Sequence, residues 1–373
     1  MNDVSIPPAP ELRVAADTVG VDRARLADAI DFALAHGSRW PTALIMPDGR
    51  FALPYDAGER PPDDAVLGPV TPRGGPAGVI LKGGREIACW GDPDRPDMTF
   101  SIAKSYLALL AGLAIGDGLI RSLDDRAGDY ALDDGFTAPQ NRDITWRHLL
   151  QQTSEWEGTL FDKADMVDRH RKVGLTDPDT PKGSFRALRP PGTFWEYNDV
   201  RVNRLSLSLM QVFREPLPAV LKRRIMDPIG ASSNWRWDGY RNSTVTVDGR
   251  PMLSVPGGGH WGGGIVIGAR DHARIGLLVA RDGTHDGRRI LPDGWCAELR
   301  KPCAIAPFYG LMWWLNTNRG QFKAAPESSF FALGWGSHIL WIDPEHDLVV
   351  VTRWIDKASA GGFIERVVAS VAA

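Results

Sequence analysis

The spacing of hydrophobic residues changes twice along the chain, from a strand pattern to a helical pattern and back. Residues 77–90 form a β-rich segment around Gly83 and Gly84, which predicts two short strands joined by a hairpin turn. An apolar run at 105–116 then predicts a long helix. Helical spacing recurs over the middle of the chain, at residues 144–152, 203–212 and 218–226.

The last third of the chain returns to strands. Residues 251–264 are dense in glycine, and residues 270–280 predict an amphipathic helix. Three β-rich segments follow before a closing helix at 361–372, and they lie at 309–316, 330–343 and 347–354. The predicted fold class is therefore α/β (α+β): an antiparallel sheet from amino- and carboxyl-terminal segments, flanked by helices, with an inserted all-helical lobe and a cleft between them.

The amino-terminal part differs from the rest of the chain. It holds one amphipathic stretch, at 21–35, followed by a connection rich in proline and glycine. We expect residues 1–76 to form an arm that wraps a single domain at 77–370. Within that domain the sheet is expected at about 77–118 and 265–370, and the lobe at about 119–264.

Composition narrows the possible partners. The net charge is −3 over 373 residues, and acids and bases are interspersed without a basic stripe. This argues against nucleic acid or a membrane surface as a partner and favours a small-molecule substrate. The first ten residues lack the basic and apolar regions of a secretory signal, so we expect a cytoplasmic location. The sequence leaves the oligomeric state open.

Metal and nucleotide motifs are weak. The three cysteines lack paired metal-ligand spacing, and the eight histidines form no His-Glu-x-x-His pattern. Residues 257–262 fit Gly-x-Gly-x-x-Gly but do not follow a strand, so we interpret them as a close-packed loop. The sequence predicts no metal site and no cofactor.

The strongest candidate for chemistry is the pair Ser101 and Lys104 at the head of the 105–116 run. Residues three apart on a helix share a face, so the Lys104 amine is expected beside the Ser101 hydroxyl, where it can activate a nucleophile. The spacing alone arises by chance about once in a chain of this length. The alternative interpretation is a helix start with Thr99 or Ser101 as its cap and an exposed lysine.

Tyr197 is a candidate base. It follows a rigid turn at 189–192 and precedes a helix, although a lone tyrosine there also fits simple packing under a loop. Lowering its pKa from about 10 to 7 needs roughly 4 kcal/mol, which one ammonium at about 4 Å supplies. A cluster of Ser101, Lys104 and Tyr197, with a phenolate as the base, is physically sufficient.

A glycine-rich segment before the strand at 339–342 is the candidate oxyanion site. Gly334, Trp335 and Gly336 allow close approach of a backbone amide, although glycines that serve a β-bulge are equally compatible. His338 lies nearby. Among the tryptophans, Trp156 and Trp335 are placed to line an apolar acyl pocket.

Ordered motifs support the same residues, at 100–105 with 118–125, 144–154, 192–198, 257–259 with 269–271, and 341–345. Over about 77–370 the chain resembles the penicillin-recognising serine hydrolases, which include β-lactamase-like proteins, DD-peptidases, related esterases and 6-aminohexanoate-dimer hydrolases. The resemblance implies a serine β-lactamase-like fold. It also implies a nucleophile at Ser101, a lysine partner at Lys104 and a tyrosine acid/base at Tyr197.

Two departures from the family pattern bear on the substrate. The Tyr-x-Asn element reads Tyr197, Asn198 and Asp199, and we expect Asp199 to attract a cationic group of the substrate. The usual cation before the family's Thr/Ser-Gly is replaced by the apolar sequence at 332–334. The missing cation argues against classical β-lactamase activity, and the sequence leaves open whether any β-lactam is turned over.

These observations predict a serine hydrolase that forms an acyl-enzyme on Ser101, with a small ester as the first choice of substrate. An amidase acting on short amino-acid-like oligomers is the alternative within the enzyme class. The alternative outside that class is a non-catalytic, penicillin-binding-like domain.

Overall fold

The computed structural model describes residues 20–53, 59–176 and 178–371. Its helices are α1 (Arg23–Ala35), α2 (Ala103–Gly116), α3 (Trp146–Leu150), α4 (Asp199–Phe213), α5 (Leu217–Leu221), α6 (Ala269–Ala280), α7 (Trp295–Leu299) and α8 (Ala360–Val371). The first nine strands are β1 (Ala77–Lys82), β2 (Arg85–Trp90), β3 (Asp97–Met98), β4 (Thr159–Leu160), β5 (Lys163–Ala164), β6 (Arg236–Asp238), β7 (Thr244–Val247), β8 (Arg250–Leu253) and β9 (Gly264–Ile267). The remaining strands are β10 (Thr284–His285), β11 (Arg288–Arg289), β12 (Trp314–Leu315), β13 (Phe330–Gly334), β14 (His338–Asp343) and β15 (Leu348–Arg353).

A six-stranded antiparallel sheet, in the order β12-β13-β14-β15-β1-β2, joins the two ends of the chain. Gly83 and Gly84 make the predicted turn between β1 and β2, and both adopt positive φ angles, of 59° and 78°. Val79 of β1 lies opposite Val351 of β15, which connects the first strand to the last. The predicted sheet of amino- and carboxyl-terminal segments is confirmed.

Alternate residues of the sheet enter two different cores. Val351 packs on the face covered by α2, α6 and the lobe, whereas Val350 packs on the face covered by α1 and α8. The predicted helix at 21–35 is α1, which Asp22 caps by accepting hydrogen bonds from two backbone amides. Residues 1–19 and 54–58 of the predicted arm lie outside the described residues.

The inserted lobe is helical but also contains strands. Helices α3, α4 and α5 form its core, as the apolar spacing predicts. The expectation of an all-helical lobe is wrong, because β7 and β8 form a hairpin within it. Asp248 and Gly249 join these strands with positive φ angles of 50° and 74°, the conformation that an Asp-Gly hairpin turn favours.

The predicted strand at 309–316 is reduced to β12. Met312 adopts a φ angle of 58°, and a turn before Trp314 interrupts the extended chain. Among the described residues, no helix combines the length and the apolar character that crossing a membrane requires.

Candidate active site

Ser101 lies in a single 3-10 turn, Phe100–Ile102, which leads directly into α2. The residue is partly exposed, whereas nearly every side chain of α2 is buried. Because α2 is apolar all round, it lies in the core, and the 3-10 turn before it carries Ser101 to the boundary between sheet and lobe. The nucleophile candidate is therefore accessible on a rigid support.

Lys104 lies beside Ser101, as the three-residue spacing predicts. Its Nζ atom donates a hydrogen bond to Ser101 Oγ at 3.0 Å. The side chain is only 1% exposed. Burial lowers the pKa of the Lys104 ammonium, against the opposing attraction of Asp199. The alternative of an exposed lysine in the first turn does not apply.

Tyr197 joins the pair from the lobe, where it immediately precedes the cap of α4. The Ser101 side chain lies close enough to the phenol to influence its pKa. Lys104 Nζ lies over the face of the ring, 4.7 Å from its centroid, and Trp314 stacks on the ring at 5.7 Å. The structure thus brings Ser101, Lys104 and Tyr197 together.

The protonation of Tyr197 differs from the expected phenolate. Burial raises the pKa of the phenol well above its ordinary value, and the carboxylate of Asp199 raises it further, although Arg171 opposes both effects. The ammonium of Lys104 lies over the ring face. Tyr197 is therefore a neutral phenol at rest, in contrast to the expected phenolate.

Asp199 lies deep in the site and is fully engaged by cations of the protein. Its Oδ1 atom lies 2.5 Å from Lys104 Nζ, and its Oδ2 atom lies 2.6 Å from Arg171 Nη1 and 2.9 Å from His260 Nδ1. Although burial favours the neutral acid, Arg171 and Lys104 hold the pKa of Asp199 well below its usual range. The expectation that Asp199 attracts a cationic substrate group is wrong, since these protein cations already neutralise it.

Asn198 caps α4 instead of facing a substrate. Its Oδ1 atom accepts hydrogen bonds from the amides of Val200 and Arg201, and its Nδ2 atom donates to the carbonyl of Asp165. The residue is fully buried. The predicted substrate contact is therefore replaced by a structural role.

Trp156 and His338 also lie in the core. The Trp156 indole is 3% exposed and donates to the carbonyl of Gly135 within the lobe, so it does not form the expected pocket wall. His338 is 1% exposed and packs edge-on against Trp354. Burial, reinforced by the charge of Arg353, holds the pKa of His338 well below its usual value, which makes it a neutral core residue.

The glycine-rich segment lies next to the nucleophile turn, the 3-10 turn Phe100–Ile102 that holds Ser101. Gly334 ends β13 and packs against the backbone of Thr99, two residues before Ser101. Gly336 follows with a φ angle of 72° in the turn between β13 and β14. Trp335 is partly exposed, and Arg171 lies over its ring at 5.8 Å. Gly334 thus lies beside the nucleophile turn and Trp335 beside Arg171, while the oxyanion role of the segment stays a prediction.

Sequence reasoning missed the charged residues behind Asp199, which are Glu59, Asp168, Arg171, Lys182 and His260. They come from separate segments, and no motif connects them. The only signal was the glycine-dense stretch that contains His260. Within this stretch, a Cβ atom on Gly258 would lie 3.0 Å from Lys104 Nζ, so the absence of a side chain at Gly258 leaves room for the Lys104 ammonium group.

Three of these residues also have the chemistry of metal ligands. Glu59, Asp168 and His260 each place a ligand-type atom within 4.8 Å of the others. The ammonium of Lys182 lies among them, 3.0 Å from Asp168 and in contact with Glu59. Because this lysine already supplies the positive charge, we assign no metal ligand here.

Comparison with known proteins identifies the family of the chain. The family described as Beta-lactamase matches residues 74–354. A 6-aminohexanoate-dimer hydrolase from Paenarthrobacter ureafaciens is 27% identical over 293 residues, which cover 71% of this chain and 68% of the relative.

Two solved structures share the fold. EstCE1, described as a hydrolase with promiscuous acyltransferase activity, superposes with a TM-score of 0.59 at 17% identity over 94% of this chain and 98% of that one. A penicillin-binding protein homologue from Caulobacter crescentus superposes with a TM-score of 0.58 at 15% identity over 94% and 99%. The chain therefore belongs to the beta-lactamase family, the penicillin-recognising serine hydrolases.

Proposed function

We propose that the protein cleaves a small carboxylic ester through an acyl-enzyme on Ser101. The observation that carries this proposal is the 3.0 Å hydrogen bond between Lys104 Nζ and the partly exposed Ser101 Oγ. A serine hydroxyl needs an adjacent group to take its proton before it attacks a carbonyl. Lys104 is placed to do this once it has lost a proton.

Proton transfers among Ser101, Lys104 and Tyr197 supply the leaving group with a proton. In this mechanism Lys104 takes the proton of Ser101 as the Oγ–carbon bond forms. Tyr197, a neutral phenol, gives its own proton to the departing alkoxide as the carbon–oxygen bond breaks, and Lys104 restores that proton to Tyr197. Water repeats the sequence in reverse and releases the acid.

The oxyanion would be held between two backbone amides. One comes from Ser101, at the start of α2, and the other from the Gly334–Gly336 segment. Donors fixed in this way stabilise the negative charge of the tetrahedral intermediate. The support is the contact between Gly334 and the nucleophile turn.

The substrate pocket favours an uncharged acyl group. The half-buried Trp335 meets Phe51 edge to face at 6.3 Å on the side of the site formed by the glycine segment. Ala332, where the family carries a cation, and Leu333, where it carries a threonine or serine, are apolar. A β-lactam carboxylate would find no lysine or histidine at those two positions.

An amidase is the second candidate, because the relative from Paenarthrobacter ureafaciens is named a 6-aminohexanoate-dimer hydrolase. The negative charge of Asp199 was the feature of this chain that favoured a cationic amide substrate, and its ion pairs with Lys104 and Arg171 neutralise that charge. The ester therefore stays first.

The test combines labelling with a substrate panel. Mass spectrometry should find a fluorophosphonate on Ser101, and Ser101→Ala should abolish turnover of p-nitrophenyl butyrate. Ser122→Ala, which removes a partly exposed serine of the lobe, is the matched control and should retain activity. A panel of short esters, the 6-aminohexanoate dimer and a β-lactam then ranks the substrates. Label on another residue would contradict the proposal, and a stable acyl adduct would favour a binding domain.

A further inference from the structure

A buried line of contacts connects Glu59, near the start of the described chain, to the nucleophile. Glu59 Oε1 lies 2.5 Å from His260 Nε2, and His260 Nδ1 lies 2.9 Å from Asp199 Oδ2. Asp199 Oδ1 lies 2.5 Å from Lys104 Nζ, which in turn donates to Ser101 Oγ at 3.0 Å. Each side chain contacts the next through a different atom, so the order of the line is fixed by geometry.

The groups in this line alternate in charge. Although burial is the largest single effect and disfavours an imidazolium, the nearby carboxylates, Glu59 first among them, together raise the pKa of His260 to about 9. At neutral pH Glu59 and Asp199 are therefore carboxylates and His260 is an imidazolium, and Lys104, when protonated, completes the alternation. The four side chains are 2–8% exposed, and charges shielded from water interact more strongly than charges on a surface.

We propose that Asp199 and His260 are positioning residues that set the pH at which Lys104 becomes the free amine that activates Ser101. The inference rests on the proposed function, since it concerns the base of that reaction. It assigns a role to the carboxylate that stands where the family usually has an amide.

The charged and titratable groups that surround this line must be counted with it. Arg171 contacts Asp199 and stacks on Tyr197, and Lys182 contacts both Glu59 and Asp168. Among the described residues, the charged and titratable groups around the line include Glu59, Lys163, Asp168, Arg171, Lys182, Tyr197, Asp199, Tyr240, His260 and Tyr309. Asp199 and His260 are the two groups of the line that lie between Glu59 and Lys104, and the charge of each can be removed singly.

The two removals have opposite consequences. Asp199→Asn takes away the negative charge that holds the Lys104 proton, so Lys104 loses that proton at lower pH. His260→Gln takes away a positive charge that competes for Asp199, so Asp199 holds the Lys104 proton more strongly. A substitution that only loosened the fold would not move the two variants in opposite directions.

The experiment measures kcat/KM for p-nitrophenyl butyrate against pH. The acid limb of this pH profile is the range in which activity rises as Lys104 loses its proton. We expect it to lie about 1 to 3 pH units lower in Asp199→Asn than in the parent protein, the size of shift that an adjacent opposite charge produces. The limb of His260→Gln should move up by a smaller amount. Asp199→Glu, which keeps the charge, should return the limb towards that of the parent.

Matched controls remove buried groups elsewhere. His272→Gln deletes an imidazole that burial keeps neutral, and Asp133→Asn breaks an ion pair with Arg204 in the lobe. Both should leave the position of the limb unchanged. Shifts of Asp199→Asn and His260→Gln in the same direction, or no shift in either, would overturn the inference.

Fluorophosphonate labelling separates this inference from the proposed function. Absence of label on Ser101 in the parent protein would contradict the proposed function. Normal labelling of Ser101, together with acid limbs that do not shift in the variants, would contradict only the role of Asp199 and His260. Titration of Lys104 in lysine-¹⁵N protein reads the same shifts without turnover. If the variants do not fold, NMR of the parent protein labelled with histidine-¹⁵N provides the test. The His260 signal, assigned through its stacking on Trp261, must be that of an imidazolium over the pH range of the acid limb. A neutral His260 ring in that range would overturn the inference.

Discussion

Gly334 lies against the carbonyl oxygen of Thr99, and a Cβ atom on Gly334 would come within 2.2 Å of that oxygen. No real Cβ atom approaches a backbone oxygen so closely, so an alanine here must push β13 away from the nucleophile turn. We expect Gly334→Ala to lower kcat by about 10²-fold or more, the cost of losing one oxyanion donor. Steady-state kinetics on p-nitrophenyl butyrate measures the effect.

The control for this glycine is Gly361, in the exposed first turn of α8. An added Cβ there meets nothing within 4 Å, so Gly361→Ala should leave kcat unchanged and stabilise the helix by about 0.5–1 kcal/mol. If Gly334→Ala kept full activity, the glycine segment would not form the oxyanion site.

Tyr197→Phe tests the assignment of a neutral phenol as proton donor. An alkoxide leaving group needs a proton, whereas p-nitrophenolate departs without one. We therefore expect kcat to fall by about 10²–10⁴-fold on an ethyl ester and far less on the p-nitrophenyl ester of the same acid. Tyr130→Phe, which removes a phenol that donates a hydrogen bond to Asp125, is the matched control. Equal losses on the two esters would instead indicate that Tyr197 acts on Ser101 as a base.

The elements of the fold could be predicted from the sequence because they depend on local spacing. The helix predicted at 270–280 is α6, and the segment predicted at 347–354 contains β15. The hairpin of β7 and β8 was missed because its strands are short, lie among helical segments and bury few side chains. An Asp-Gly pair at 248–249 was the available signal.

The charges of the site could not be predicted in the same way. Sequence shows a carboxylate at Asp199 but not the three cations that contact it. Glu59 and His260 are far apart along the chain, and only folding brings them together. The spacing of Ser101 and Lys104 was informative because one helical turn fixes their separation.

Asn198→Ala separates a capping role from a substrate contact. Loss of the cap leaves the amides of Val200 and Arg201 without their acceptor, and we expect the free energy of unfolding to fall by about 1–2 kcal/mol. KM should change little. Urea unfolding and kinetics measure the two quantities, with Thr145→Ala, which removes the cap of α3, as the matched control. A large rise in KM at unchanged stability would restore the substrate role.

The imidazolium of His260 makes stability depend on pH in a defined direction. Its pKa is about 9 in the folded protein, raised from the ordinary value of about 6.5 that applies in the unfolded chain. A group with a raised folded pKa contributes its full stabilisation below the unfolded pKa and loses it as the pH rises through the folded one. The contribution is about 3 kcal/mol, present below about pH 6.5 and lost by about pH 9.

Urea unfolding at several pH values between these limits tests this expectation. The free energy of unfolding of the parent protein should fall with rising pH more steeply than that of His260→Gln, because glutamine does not titrate. His272→Gln serves as the control, since burial keeps the pKa of His272 well below its usual value and its ring uncharged throughout the range. Parallel curves for the parent and His260→Gln would show that His260 is neutral in the fold, and the alternation of charge from Glu59 to Lys104 would then be broken at its second member.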